Sequence, residues 1–139
     1  MAKQIVIKRS FAAPRELVFR CWIEPEHLLH WFRASPDWTT PHAKTDPRGG
    51  GIFNIGFGSP DGKNDFDFTG HYEIVDPPSR LVLKIGDGRA VTILFSENDG
   101  KTDLTLTLDL EPTHSEEQQR EGWSAMLANL ALHLERNTP

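Results

Sequence analysis

The chain contains one cysteine, Cys21. With a single thiol no intrachain disulfide closes, and no cysteine-based zinc site is expected, because such sites draw on several thiolates. Cys21 sits among apolar residues and reads as core. No run approaches the roughly eighteen apolar residues that a membrane-spanning helix requires. The amino terminus, Met1-Ala2-Lys3-Gln4-Ile5, lacks the apolar segment and small-residue cleavage site of a secretory signal, so the expectation is a cytoplasmic protein without a membrane partner. Positive charge is sparse as well. Fifteen Lys and Arg stand against twenty Asp and Glu, a formal net charge of −5, and the basic residues are scattered. A surface of that kind does not track phosphates, which argues against nucleic acid and in favour of solubility. There is no internal repeat, low-complexity run or linker, and 139 residues suffice for one core and not two, so a single domain spanning 1–139 is expected. Nothing in the sequence fixes an oligomeric state.

What is present is periodicity. Ile5 and Ile7 alternate with Val6 and Lys8 up to Phe11, predicting a strand at about residues 3–11. The period then changes: after Pro14, Leu17, Val18, Cys21 and Trp22 recur at helical spacing, ending near Ile23. Glu24-Pro25-Glu26 restarts a second short helix, proline and acids both suiting a helix start, with Leu28, Leu29, Trp31 and Phe32 on its buried side. Ser35-Pro36-Asp37 breaks that pattern. Strands follow at about 39–46, 51–57, 65–75, 80–86, 89–96 and 102–110, separated by Pro60-Asp61-Gly62, Asp76-Pro77-Pro78, Asp87-Gly88 and Asn98-Asp99-Gly100. Short turns between consecutive strands imply an antiparallel meander. In the last strand Leu104, Leu106, Leu108 and Leu110 alternate with polar residues, so one face needs a cover. The segment from Ser115 to about Arg136 supplies it: Ser115 with Gln118 forms a capping-box pattern, and Trp123, Leu127, Leu130 and Leu134 make an inward stripe widened by Met126 and Ala131. The fold class is α+β, a bent antiparallel sheet of about seven strands around a long carboxy-terminal helix, with two short helices after the first strand.

Several segments, in order, resemble a known family. These are Arg9-Ser10-Phe11-Ala12-Ala13-Pro14, Val18-Phe19-Arg20-Cys21-Trp22 with Pro25, and Leu28-Leu29-His30-Trp31-Phe32. Asp46-Pro47-Arg48-Gly49-Gly50, Gly70-His71-Tyr72, Asp76-Pro77-Pro78-Ser79-Arg80-Leu81 and Gly122-Trp123 complete the series, which spans nearly the whole chain. Together they resemble the START-like (SRPBCC) superfamily, and within it proteins similar to the carboxy-terminal domain of the heat-shock-protein-90 ATPase activator. The resemblance implies a helix-grip fold with space under its long helix. It does not imply one reaction, because that fold serves lipid binding, cyclisation, hydrolysis and protein contact alike. The loop carrying Trp38, Pro41 and His42 has no counterpart to transfer, and no catalytic set is carried over.

The chemistry-bearing residues point the same way. Phe53, Phe57, Phe66, Phe68, Tyr72, Phe95 and Trp123 are a large aromatic inventory for a sheet-and-helix core, and any part not filled by neighbours is an apolar pocket. Arg48, Phe53, Phe68, Tyr72, Phe95, Trp123 and Leu127 are the expected lining. Asp46-Pro47-Arg48-Gly49-Gly50-Gly51 lacks the Lys and Ser/Thr of a phosphate loop, so its glycines read as a close backbone approach, with Arg48 pairing an acid or turning toward the hollow. His27 and His30 share a helical face, but further ligands are not marked, so no metal or other cofactor is expected. His42 in a loop and His71 in mid-strand occupy positions that can face a ligand, with a satisfied structural histidine the leading reading for each; if Tyr72 faces the hollow, His71 and Glu73 face water. No serine occupies a nucleophile elbow. The leading expectation is non-catalytic binding of a small hydrophobic molecule. The first alternative is a co-chaperone-like partner of a heat-shock ATPase linked to stress response, weakened because the chain has no room for the additional amino-terminal domain of the full activator. The second is a polyketide cyclase- or hydrolase-like enzyme, which requires an acid or base facing the cavity.

Overall fold

The computed structural model describes residues 3–35, 37–86 and 88–137. Pro36 and Asp87, which the sequence assigns to turns, lie outside the described residues. The elements run β1 (Gln4–Phe11), α1 (Arg15–Ile23), α2 (Pro25–Trp31), β2 (Ala43–Thr45), β3 (Ile52–Phe57), β4 (Phe66–Asp76), β5 (Arg80–Ile85), β6 (Ala90–Asn98), β7 (Lys101–Asp109) and α3 (Glu116–Asn137). The strands form one antiparallel sheet in the order β1-β7-β6-β5-β4-β3-β2. First and last strands pair along their full length, Ile5 opposite Leu108 and Phe11 opposite Thr102, so the meander closes back on the chain's own beginning.

Alternation sets the inner face. Ile5, Ile7, Val91, Ile93, Leu104, Leu106 and Leu108 are buried, while their neighbours in sequence point out. The β6–β7 hairpin turns at Asp99 and Gly100, whose φ values of 53° and 77° are the left-handed pair that a two-residue turn needs. The second strand is shorter than its sequence pattern predicts. Pro41 has no N–H to give a ladder, so the expected 39–46 strand is reduced to a bridge between Thr39 and Gly58 and the three residues of β2. Between Tyr72 and Ile74 the β4–β5 register shifts, bending β4 and leaving His71 and Glu73 exposed while Tyr72 is buried.

The helices cover one face only. Pro14 caps α1, and Pro25 occupies the first turn of α2. Ser115 and Gln118 close a reciprocal box at the start of α3: the Gln118 N–H donates to Ser115 Oγ and the Ser115 N–H to Gln118 Oε1, each at 3.1 Å. Met126, Leu127, Leu130 and Leu134 carry the buried stripe of α3. The helix runs closest to β1 and α2, which leaves its amino-terminal half spanning the sheet near β3, β4 and β5. Among the described residues, no helix is long and apolar enough to cross a membrane.

Candidate functional site

Where the first half of α3 passes over β3 and β4, the interior does not close. A cavity of about 410 Å³ opens there, within the roughly 300–1,000 Å³ usual for small-molecule sites. Its apolar wall consists of Phe32 after α2, Phe57 on β3, Phe66 and Phe68 on β4, and Trp123 and Met126 on α3. Sheet register builds this wall. Phe57 and Phe66 are cross-strand partners and stack at 4.6 Å between ring centroids, 8° from parallel. Phe68 meets Phe32 at 5.5 Å and Trp123 at 6.1 Å, both at steep angles. A wall of this kind holds its shape through ring contacts without filling the centre.

Gly122 forms part of the roof. A Cβ built on it meets nothing within 4 Å, so this glycine, in the interior of a helix, faces the open space. The mouth is polar, with Arg89, Glu111, His114, Gln118 and Gln119 around it. These groups are tied together. Gln119 Oε1 accepts from the Glu111 N–H at 3.0 Å, and Gln119 Nε2 donates to the Glu111 carbonyl at 3.0 Å and the His114 carbonyl at 2.9 Å. The Glu111 carboxylate accepts from the backbone N–H groups of Thr113 and His114 and lies 2.7 Å from His114 Nδ1. Desolvation acts to raise its pKa, but the hydrogen bonds from His114 and Thr113 prevail and hold it below the usual carboxylate value. Among the described residues at the mouth, the one acid, Glu111, is thus engaged in stapling a loop.

The expected lining residues do not all meet at the cavity. Phe68 and Trp123 line the cavity. Phe53 and Tyr72 stand behind Phe68, Phe53 stacking on it at 5.5 Å and meeting Tyr72 at 5.3 Å; they support the wall. Leu127 is buried one helical position beyond the roof. Phe95 lies elsewhere, packed on Phe19 of α1 at 5.1 Å, because β6 sits under α1. Arg48 does not turn inward. It is exposed and pairs with Asp46 at 2.9 Å, while Gly50 donates to the Tyr72 carbonyl and the site of a Gly51 Cβ falls 1.9 Å from the Asp46 carbonyl oxygen. The glycine loop is thus a close backbone approach against the β4 bend. Phe32, Phe57, Phe66, Gly122, Met126 and the polar mouth were not among the expected lining, although Phe57 and Phe66 belong to the aromatic inventory. Gly122 was the available signal, since an interior helix glycine is unfavourable unless its missing side chain has a use.

The comparisons agree with this fold. The family model described as Activator of Hsp90 ATPase homolog 1-like protein matches residues 12–135. The solved AHSA1-like protein from Aeromonas hydrophila superposes with a TM-score of 0.91 at 33% identity, covering 97% of this chain and 94% of that one. A protein from Cytophaga hutchinsonii gives 0.81 at 35% identity, with 96% and 93% covered. One from Nitrosomonas europaea gives 0.85 at 26% identity, with 96% and 95% covered. No curated protein matches the chain. Such a fold supports a ligand-binding or co-chaperone-like domain in general terms.

Proposed function

The chain belongs to the family of Activator of Hsp90 ATPase homolog 1-like proteins, and from that premise we propose that it binds a small, largely apolar molecule, a lipid-like one included, between β3, β4 and α3, without catalysing a reaction on it. The observation that carries this reading is the aromatic-walled cavity roofed by Gly122, where a helix tolerates a glycine and leaves about 410 Å³ unfilled. Burial of a ligand's apolar surface against Phe57, Phe66, Phe68 and Trp123 supplies the affinity at about 25 cal/mol per Å². The polar mouth suits a ligand whose one polar end stays near water. A cytoplasmic setting belongs to the proposal, in keeping with a buried thiol that has no disulfide partner.

Gly122→Leu tests it. A Cβ at this position meets no neighbour and Gly122 lines the cavity, so a leucine here should occupy part of that space, and the variant, its fold verified by circular dichroism, should bind a fluorescent medium-chain fatty-acid probe at least about tenfold more weakly, a loss of about 1.4 kcal/mol. Equal binding by both proteins contradicts the reading.

The family description favours a second reading, a protein-interaction module acting on a heat-shock ATPase. Its test is a pull-down with a bacterial chaperone of that class and an ATPase assay. No association and an unchanged rate remove it.

A further inference from the structure

A second group of reactive side chains lies apart from the cavity. Cys21 on α1, His27 on α2 and His133 near the end of α3 converge, and the Cys21 sulfur and one ring nitrogen from each histidine all lie within 4.8 Å of one another. His27 Nδ1 and His133 Nε2 are 2.8 Å apart. Cys21 and His133 are buried, and the His27 side chain is 14% exposed. His133 is about seven residues beyond Met126, or about 10 Å farther along the helix axis, so this cluster and the ligand cavity share no residue.

We propose that Cys21, His27 and His133 form a binding site for one borderline-soft transition-metal ion of the zinc class, with a water or an outside ligand completing four-coordination. One thiolate and two imidazoles are donors that such an ion prefers, and three protein ligands plus an open position are a recurring arrangement. Zinc takes sulfur at about 2.3 Å and nitrogen at about 2.0–2.1 Å, so tetrahedral donors stand roughly 3.3–3.6 Å apart. The two ring nitrogens therefore open by about half an ångström and the sulfur moves inward, changes within side-chain rotation.

The surroundings fit. Glu24 Oε1 is 3.6 Å from Nε2 of His27, the ring nitrogen turned away from the cluster, and Arg20 holds Glu24 at 3.0 Å. A carboxylate behind a ligating imidazole fixes its tautomer and leaves the other nitrogen as a lone-pair donor. Trp31 Nε1 donates to the Cys21 carbonyl at 2.9 Å and anchors the backbone from which the thiol projects. His30 stacks on His133, 9° from parallel, and limits its rotation. A hydrogen bond between the two histidines would satisfy them as a pair; it has no use for a sulfur at the same point. On binding, the thiol gives up one proton to solvent and the imidazoles enter neutral, that of His27 with its remaining N–H toward Glu24.

Sequence reasoning sets a single cysteine aside as a zinc ligand and pairs His27 only with His30, with no further ligand marked. The reason His133 is not legible in sequence is topological. His133 lies 106 residues from His27, and only the return of α3 across α2 brings it there.

The test is a Co²⁺ titration of the full, tag-free chain after chelator treatment, followed by displacement with Zn²⁺. The expected result is a single equivalent of Co²⁺ giving a thiolate-to-metal charge-transfer band and the intense visible bands of four-coordination, both erased by Zn²⁺. Cys21→Ser loses the charge-transfer band. His27→Gln, at a partly exposed position that the fold tolerates, weakens binding at least about tenfold, and Glu24→Gln by about tenfold. His71→Gln on the outer face of β4 changes nothing. Circular dichroism verifies each variant's fold, and the His27→Gln arm stands even where Cys21→Ser does not fold. A folded wild-type chain that shows no charge-transfer band overturns the proposal. So does binding that survives His27→Gln, which assigns the ion to surface groups such as His42 with Asp67.

Discussion

At the scale of single residues, Gly122 and Tyr72 show how local chemistry sets the site. Glycine in a helix interior costs about 0.5–1 kcal/mol relative to alanine. Because a methyl group at 122 meets no neighbour, Gly122→Ala should stabilise the fold by about that amount in urea unfolding, while trimming the cavity by little. A stabilised variant that still binds ligand separates the folding cost of this glycine from its use. Tyr72 supports the wall from behind, and burial raises its phenol above the ordinary value, opposed in part by a hydrogen bond with Thr45. The sign follows from linkage. The unfolded chain sheds the proton near pH 10 and the native chain keeps it, so stability is fully present below about pH 10 and is lost as pH rises through the folded value. Urea midpoints measured at pH 8 and pH 10.5 should therefore fall more for the wild type than for Tyr72→Phe.

At the scale of elements, the start of α3 governs the mouth. Ser115→Ala removes the Oγ acceptor of the capping box and should cost about 1 kcal/mol by thermal or chemical unfolding. Gln119→Ala leaves both the Glu111 N–H and its carbonyl without their side-chain partner, so the 111–119 loop should gain hydrogen-exchange rate at Glu111 with little change in the sheet. Sequence periodicity made most elements legible because each has one buried face. Ser115 with Gln118, Pro25 at a helix start and Asp99-Gly100 in a turn each act through neighbours a few residues away. Where a rule depends on a neighbour across the sheet, the pattern alone is insufficient. Pro41 shortened β2 because the ladder it fails to serve belongs to β3, and the bend at Tyr72 and Ile74 exists only against β5.

At the scale of the whole molecule, the site depends on an uneven cover: α3 seals the β1 side with Leu127, Leu130 and Leu134 and stands away from β3 and β4. Leu130→Ala, at a fully buried position on the sealed side, should destabilise by about 2–5 kcal/mol without altering the pocket wall. This explains what the sequence left open. An aromatic inventory identifies rings but not their neighbours, so Phe95, which serves α1, looked equivalent to Phe68, which faces the cavity. Phe57 and Phe66 became a wall only through their cross-strand register. The most direct measurement is a chemical-shift map of the chain titrated with a panel of medium-chain apolar ligands. Perturbations should concentrate at Phe57, Phe66, Phe68, Gly122 and Trp123, leaving Phe95 and Arg48 at their ligand-free positions. Shifts gathered around Phe95 and Arg48, or none across the panel, would contradict the account.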